Sequence, residues 1–424
     1  MMVNSEDTVI KHRIPFTTYD LGWVVLCIGM AIGAGIIYMP IQAGVKGIWV
    51  FVASISLSYP AIYWLQDLYL KTLTQTPACD SYAEIITQYL GKNWGGLLGV
   101  AYFLMLLMGI LNYAMSLVND SAAYFHSYHI TDGFLSKTAW YPLILLGVMV
   151  LIANQGERWL FRISGPMIFF KLAVIVFLGA VMTPYWSINN ISAFPPVMSF
   201  LRDVLLTLPF TLFSILFVQI LNPMNIAYRK LESDPVIASL RAIRATRIAY
   251  IVLVVSVLFF AFSFSFAITK EEAASALEQN ISALALASQI MPGNLVSILS
   301  VTLNIFAILT AFFSIYLGFK EAIMGLAVNM ISRISGSESI NRRLLSIIIA
   351  VAIVIFLWGW VSFDFSVMLL MQISGPVFGL VACLIPFYLV KRVSALDNLR
   401  SCKNYYVAFY GILLCISPFL KFVE

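Results

Sequence analysis

The chain has 424 residues, of which 61% are hydrophobic and 11% are charged, and its formal net charge is +5. Soluble domains carry about 25% charged residues, so a water-soluble core cannot hide this much apolar surface. The composition therefore indicates an integral membrane protein, and the positive charge gives no reason to expect a nucleic-acid partner. The five cysteines form no CxxC pair and no cluster with histidine, so neither a metal site nor a disulfide framework is predicted.

A membrane-spanning helix needs about 20 mostly apolar residues, and eleven stretches of the chain meet this requirement. In chain order they are 20–42, 47–70, 94–118, 138–154, 160–183, 204–228, 246–268, 294–320, 343–361, 365–390 and 404–420. The stretch 138–154 is short and the break at 361–365 is narrow, which could change the count by one. Residues 1–19 are polar and contain neither an apolar run nor a cleavage site, so we interpret them as a tail rather than a signal peptide.

Lysine and arginine are distributed unevenly between the two sets of loops. Nineteen of the 25 lie in the N-terminal tail and in every second loop after it, whereas five lie in the opposite loops and at the C-terminus. Cytoplasmic loops of membrane proteins carry such an excess of positive charge. The distribution predicts a cytoplasmic N-terminus and a C-terminus on the outer side.

The first span contains the stretch GMAIGAGIIYMP at residues 29–40. Glycine weakens a helix and proline removes a hydrogen-bond donor, so we expect the helix to unwind at about residues 33–36. Irregular backbone at membrane depth is tolerated only inside protein or beside a water-filled cavity, and the N–H groups at a helix start favour an anion. The alternative is that Gly33 and Gly35 only allow a neighbouring helix to pack closely.

The tetrapeptide Ile-Ser-Gly-Pro occurs at Ile163–Pro166 and again at Ile373–Pro376, and each copy is expected to open a span, the fifth and the tenth. Because five is an odd number, the second set of five spans would be inverted relative to the first, as in many secondary transporters. Chance could account for one shared tetrapeptide, but the sixth span is also interrupted, by Pro209 and Pro223. The predicted organisation is an N-terminal tail (1–19), a first five-helix repeat (20–183), an outer loop (184–203), a second, inverted five-helix repeat (204–390), and an eleventh helix with the C-terminus (391–424).

Lys171 lies in the middle of the fifth span, about 16 Å from either interface at 1.5 Å per residue. A charged residue at this depth is costly and indicates a functional role. A buried amine can release and rebind a proton during a transport cycle. The alternative is a lysine that stays charged, held by backbone carbonyls as a purely structural contact.

Three stretches resemble the hydroxy and aromatic amino acid permeases, which are bacterial proton symporters of the amino acid–polyamine–organocation superfamily. They are residues 22–40 (GWVVLCIGMAIGAGIIYMP), 207–214 (TLPFTLFS) and 310–321 (TAFFSIYLGFKE). The resemblance extends over nearly the whole chain and is closest to the serine/threonine transporter branch. It implies an all-α membrane protein with the five-plus-five inverted repeat of the leucine transporter and discontinuous helices 1 and 6. It also implies an inner-membrane location with a periplasmic C-terminus, no cofactor and no obligatory protein partner.

In that family the backbone amides of the first break bind the α-carboxylate, and the break in the sixth span receives the α-amino group. Here the branch's polar run after Ser214 is replaced by the apolar residues 215–218. The second break could therefore lie at 213–216 or at 219–222, and a less polar pocket would suit a larger substrate than serine. In some proton-driven relatives a lysine in the fifth helix, between the first and eighth helices, resembles a stand-in for a sodium ion. This implies that Lys171 reaches the carbonyls of residues 31–34 and either Thr310 or Ser314, and it favours proton over sodium coupling. The implied substrate-binding residues are Gly33, Ala34, Gly35, Ile36, Phe213, Ser214, Gln219 and Asn112, with Tyr113 as a lid, and the implied proton-coupling residues are Lys171, Thr310 and Ser314.

The sequence thus predicts a proton-coupled symporter of serine or threonine that works by alternating access, with the spans 1, 2, 6 and 7 moving against the rest. An aromatic amino acid is the alternative substrate. A channel would need a continuous pore lining, and a membrane receptor would need a signalling domain, neither of which is evident. No intramembrane HEXXH motif, paired aspartates or Ser/Lys dyad indicates an enzyme.

Overall fold

The computed structural model describes residues 14–76, 82–127, 130–191, 193–278, 283, 286, 294–335, 341–363 and 367–423. Most of the predicted N-terminal tail, residues 1–13, lies outside the described residues. Within the described ranges the regular structure is entirely helical. The α-helices are α1 (Thr18–Ala31), α2 (Ala34–Lys46), α3 (Ile48–Gln75), α4 (Tyr82–Leu90), α5 (Lys92–Ser127), α6 (Trp140–Ala153), α7 (Glu157–Met182), α8 (Val197–Ile215), α9 (Leu221–Leu231), α10 (Pro235–Ala267), α11 (Lys270–Glu278), α12 (Asn294–Ser335), α13 (Arg342–Val361), α14 (Val367–Phe378), α15 (Ile385–Arg392) and α16 (Cys402–Ile416).

Among the described residues, eight helices are long and apolar enough to cross a membrane. The chain is therefore a multi-pass membrane protein. The described residues of each of the eleven predicted spans lie mostly in one helix or in consecutive helical segments. Three of them fall outside the eight because the first is divided into α1 and α2 and because α6 and α16 have only 14 and 15 residues. Eleven membrane crossings therefore stay a prediction.

The first and sixth predicted spans are each interrupted, the first between α1 and α2 and the sixth between α8 and α9. Helix α1 packs against α7, α10 and α12, and α12 also packs against α5. Helix α8 packs against α2 and α3. This packing surrounds the interrupted helices with continuous ones, so the irregular backbone is enclosed by protein rather than by lipid.

The two Ile-Ser-Gly-Pro tetrapeptides do not open their helices. Ile163 lies six residues after the start of α7, and at least six helical residues of α14, from Val367 on, precede Ile373. Both helices contain the proline of the motif. A π-helical segment, Gly379–Leu384, follows directly after the end of α14 at Phe378. The five-plus-five inverted repeat stays a prediction.

Candidate functional site

The first interruption lies between α1 and α2, at Ile32 and Gly33. Ile32 has φ −77° and ψ 77°, and Gly33 has φ −132° and ψ −137°, so the helical path is lost at these two residues only. The expected unwinding of residues 34–36 is wrong, because Ala34, Gly35 and Ile36 form the first turn of α2. Their N–H groups need no unwinding to be available, since the first N–H groups of any helix lack a partner within it.

Gly33 is in close contact with Tyr113 of α5. A Cβ atom at position 33 would lie 2.7 Å from the hydroxyl oxygen of Tyr113 and 3.2 Å from the Cβ of Ala311 in α12. Only glycine fits here without displacing a neighbour. The tyrosine that the resemblance implies as a lid therefore lies directly against the interruption.

The second interruption lies between α8 and α9, at Leu216 and Phe217. Leu216 is extended (φ −86°, ψ 132°), Phe217 has φ −138° and ψ 27°, and a single 3₁₀ turn, Val218–Ile220, leads into α9. Of the two predicted positions, 213–216 is the nearer, and 219–222 is wrong because the helical path has already resumed there. The Phe217 N–H donates to the Gln66 Oε1 of α3 at 2.9 Å, so a side chain satisfies this backbone group inside the protein.

Phe213 and Ser214 face neighbouring helices. The Ser214 hydroxyl lies 3.1 Å from the Tyr59 hydroxyl of α3 and donates to the Thr211 carbonyl at 2.7 Å. The Phe213 ring meets the Phe378 ring of α14 edge-on, with their centroids 5.0 Å apart. Their side chains thus pack α8 against α3 and α14, and only their backbone carbonyls belong to the free end of the helix.

Lys171 of α7 joins the first interruption to α12. It is fully buried, at 0% exposure, and its Nζ donates to the Ile32 carbonyl at 2.9 Å and to the Thr310 Oγ1 at 2.5 Å. The Gly29 carbonyl lies 3.5 Å from Nζ. The structure thus brings Lys171 and Thr310 together at the end of α1, as the sequence led us to expect, whereas a role in proton transfer stays a prediction.

Ser314 lies one turn further along α12 and contacts α1 instead of the lysine. Its hydroxyl donates to the Thr310 carbonyl at 2.8 Å and to the Leu26 carbonyl at 3.1 Å. Among the hydrogen bonds of the described residues, none joins Ser314 to Lys171. The bond to the Leu26 carbonyl joins α12 to α1, so Ser314 holds these two helices together.

Several buried amide groups beside the second interruption lack a hydrogen-bond partner within the described part of the chain. They are the Nε2 of Gln66, the Oδ1 of Asn112, the Oε1 of Gln219 and both polar atoms of Asn222. A Cβ at Gly109, one turn before Asn112 on α5, would lie 3.9 Å from the Gln219 Nε2, so α5 and the 3₁₀ turn are neighbours. Buried polar groups in proteins are nearly always satisfied, so these groups are candidates for contacts with a substrate or with water.

Gly318 of α12 contacts the backbone of Gln219, in the 3₁₀ turn that follows the second interruption. A Cβ at position 318 would lie 2.5 Å from the Gln219 carbonyl oxygen. The glycine therefore allows α12 to lie directly against the 3₁₀ turn.

A buried ion pair closes the end of α1 that is opposite to its interruption. Both Asp20 carboxylate oxygens accept from Arg241 of α10, at 2.9 Å each, and Oδ1 also accepts from the Tyr228 hydroxyl at 2.8 Å. Arg241 is paired in addition with Glu232. The aromatic rings of Tyr19, Trp23, Phe161 and Tyr228 pack edge-on or tilted around this pair.

Sequence reasoning missed this ion pair. Asp20 is buried at 0% exposure, but in the sequence it reads only as the third residue of a capping box with Thr17, which it also is. Arg241 reads as one of the basic residues of a loop. The local pattern contains no signal that brings positions 20 and 241 together.

The comparisons with known proteins agree with the resemblance. The chain is 43% identical to the "Probable serine transporter" of Escherichia coli (strain K12), over 97% of this chain and 94% of the relative. It is 24% identical to the "Serine transporter SdaC" of the same strain, over 93% and 92% of the two chains. It is 25% identical to the "Threonine/serine transporter TdcC" of Edwardsiella piscicida, over 98% and 99%. No protein-family model matches the sequence. All three relatives are named as transporters and none as an enzyme.

Proposed function

The chain belongs to the serine/threonine transporter branch of the hydroxy and aromatic amino acid permease family, and we propose that it carries serine or threonine together with protons across the bacterial inner membrane. The observation that carries the proposal is the Lys171 ammonium group between the Ile32 carbonyl and Thr310. It supplies a fixed cation beside an interrupted helix, at the place where a transporter of this kind needs a group that can exchange a proton.

The proposed substrate site lies between the start of α2 and the end of α8. The start of a helix carries a partial positive charge and its end a partial negative charge, and these two helices pack against each other. The N–H groups of Ala34, Gly35 and Ile36 would bind the α-carboxylate of the amino acid. The last carbonyls of α8, near Phe213 and Ser214, would accept from its α-amino group, because they lack partners within the helix.

The proposed partners of the substrate side chain are the unsatisfied amides of Asn112 and Gln219. Both have a buried oxygen without a partner among the described residues, and an oxygen acceptor suits the hydroxyl group of serine or threonine. These amides support a hydroxy amino acid in spite of the apolar residues 215–218. A site built to hydrogen-bond a hydroxyl group also rejects an analogue that lacks it.

The proposed coupling step is the gain and loss of a proton by Lys171. The protonated amine donates to groups on α1 and α12 at once, so it holds α7, α1 and α12 together. The neutral amine has one proton fewer to donate and bonds less strongly, because charge-assisted hydrogen bonds are about twice as strong as neutral ones. Deprotonation would therefore favour a state in which α1 has moved relative to α7 and α12, which is a requirement of alternating access.

The membrane topology belongs to the same proposal. Eleven crossings in a five-plus-five arrangement would place the N-terminus in the cytoplasm and the C-terminus in the periplasm. The uneven distribution of lysine and arginine between the two sets of loops supports this orientation. Reporter fusions that are active only in the cytoplasm or only in the periplasm, placed after residues 137, 230, 341 and 420, test each assignment.

The function is tested by uptake into proteoliposomes with a panel of labelled amino acids, with and without an inward proton gradient. We expect accumulation of serine or threonine that depends on the proton gradient and not on a sodium gradient. Lys171→Met should abolish accumulation but leave counterflow exchange, and Lys137→Met, at an exposed lysine, should change neither. Full accumulation by Lys171→Met would refute the coupling role, and uptake of aromatic amino acids only would refute the substrate.

A further inference from the structure

A cavity of about 530 Å³ lies between α3, α10 and the start of α16. Its floor and walls come from two turns of α3, one residue of α10, and residues 398–404 in and before the start of α16. The lining includes Trp64, Asp67, Lys71, Arg247, Arg400 and Lys403.

The lining of this cavity has more positive than negative charge. Four of its residues are basic and one, Asp67, is acidic. Lys71 and Arg247 share that carboxylate, at 2.6 Å and 3.7 Å. A single carboxylate cannot neutralise two cations, so this side of the cavity keeps a positive charge.

The other two basic residues add to the excess. The ammonium group of Lys403 lies 5.7 Å from the centre of the Trp64 ring, and among the ion pairs of the described residues none includes it. Arg400 donates to the Val390 and Lys391 carbonyls at 3.2 Å and 2.9 Å, which fixes the orientation of its guanidinium group. Arg400 also pairs with Asp397, at 2.7 Å, so Lys403 adds more to the positive charge of the cavity than Arg400 does.

Beyond Arg247, which lines the cavity, the outer surface of α10 becomes apolar. Arg247 is 47% exposed, and Ile251 and Val255, which follow at intervals of four residues on the same face, are 61% and 65% exposed. On α16, Tyr405 and Phe409 form a second exposed apolar strip, at 63% and 50%. Positive charge at the end of two apolar strips is the pattern expected where the headgroup and acyl chains of a lipid lie side by side.

We propose that this cavity binds the phosphate headgroup of an anionic membrane phospholipid. Basic pockets between membrane helices bind such headgroups, and lysine and arginine bind phosphate through charge-assisted hydrogen bonds. The acyl chains would lie along Ile251 and Val255. A soluble phosphate ion could satisfy the same cations but would leave the apolar strips unused.

The test measures the thermal stability and the bound lipid of the full chain purified in detergent, by unfolding curves and native mass spectrometry. Phosphatidylglycerol should raise the unfolding temperature and remain bound, whereas phosphatidylcholine and inorganic phosphate should have little effect. The double variant Arg247→Gln, Lys403→Gln should bind phosphatidylglycerol at least tenfold more weakly. Arg343→Gln, at an exposed arginine outside the cavity, is the matched control and should bind as the unmodified chain does.

A charge-conserving variant keeps the test independent of folding. Arg247→Lys, Lys403→Arg should retain most of the affinity for phosphatidylglycerol, whereas loss of binding in this variant would refute recognition by charge. Equal binding by the Gln double variant and the unmodified chain would overturn the site. Equal stabilisation by inorganic phosphate and phosphatidylglycerol would overturn the lipid. Because transport is not measured, none of these results depends on the proposed function.

Discussion

Replacing Gly33 by alanine tests whether the first interruption forms the substrate site. The added Cβ would lie 2.7 Å from the Tyr113 hydroxyl oxygen, 2.9 Å from its Cε1 atom and 3.2 Å from the Ala311 Cβ. Overpacking of this kind costs about 1–3 kcal/mol, and 1.4 kcal/mol corresponds to a tenfold change in an equilibrium constant. We therefore expect Gly33→Ala to weaken serine binding by about tenfold or more, since the ring of Tyr113 must leave its position against the start of α2.

The assay is isothermal titration calorimetry of serine binding to the purified chain, with thermal unfolding as a check on the fold. Gly359→Ala is the matched control, because a Cβ at position 359 of α13 meets no atom within 4 Å. Tyr113→Phe removes the nearest atom, so the cost of Gly33→Ala should be smaller in a Tyr113→Phe background than in the original chain. Double-mutant cycles measure such a coupling between residues in contact. Unchanged binding by Gly33→Ala, or strictly additive effects of the two changes, would refute the reasoning.

Three other substitutions test separate contacts. Asp20→Asn removes the carboxylate that pairs with Arg241 and should destabilise the protein by about 3–5 kcal/mol, the usual cost of removing one partner of a buried pair, measured by thermal unfolding. Thr310→Val removes the oxygen that accepts from the Lys171 ammonium group; a hydrogen bond to a charged group is worth about 1.5–3 kcal/mol, so proton-driven uptake should fall by about tenfold or more. Gln66→Leu leaves the Phe217 N–H without its acceptor, and the loss of about 1–3 kcal/mol should appear as a lower unfolding temperature.

Each of these substitutions has a control of the same chemistry elsewhere in the chain. Asp397→Asn breaks an exposed ion pair with Arg400. Thr302→Val removes a hydroxyl whose one hydrogen bond among the described residues is to the Ile298 carbonyl of its own helix. Gln155→Leu removes an exposed amide that donates to the Leu151 carbonyl. If any control has as large an effect as its partner, the burial of the contact is not what gives it its strength.

The contacts of Lys171 were implied by the resemblance, which places a fifth-span lysine between the first and eighth spans, whereas the residues themselves showed only a charge in the middle of an apolar span. Carbonyls at an interrupted helix and a hydroxyl in a neighbouring span are the main groups that can satisfy it at that depth. The interruption of the first span was also predicted, to within a few residues, since Gly33 and Gly35 mark where a helix can be left and resumed. The exact position needed the structure. Free N–H groups for a carboxylate are available at the first turn of any helix, so the need for them does not show whether residues 34–36 are unwound or helical.

Other parts of the site could not be derived from local pattern. The direction in which Ser214 and Phe213 point depends on how α8 rotates against α3 and α14, which the spacing of polar residues does not fix. Gln66 satisfies Phe217 although 151 positions separate them, and Asp20 meets Arg241 across 221 positions. Pairings over such distances follow from the packing of whole helices, so a single sequence gives no register for them.

The contact between Gly318 and the Gln219 carbonyl has a consequence for how α8 and α9 can move relative to α12. On both sides it is made without a rotatable side chain, so its spacing is set by the main chain and cannot relax through a change of rotamer. If α8 and α9 rotate relative to α12 while this contact persists, the contact is the pivot point of the rotation. Helix ends far from the pivot point would travel furthest, and the 3₁₀ turn would hardly be displaced.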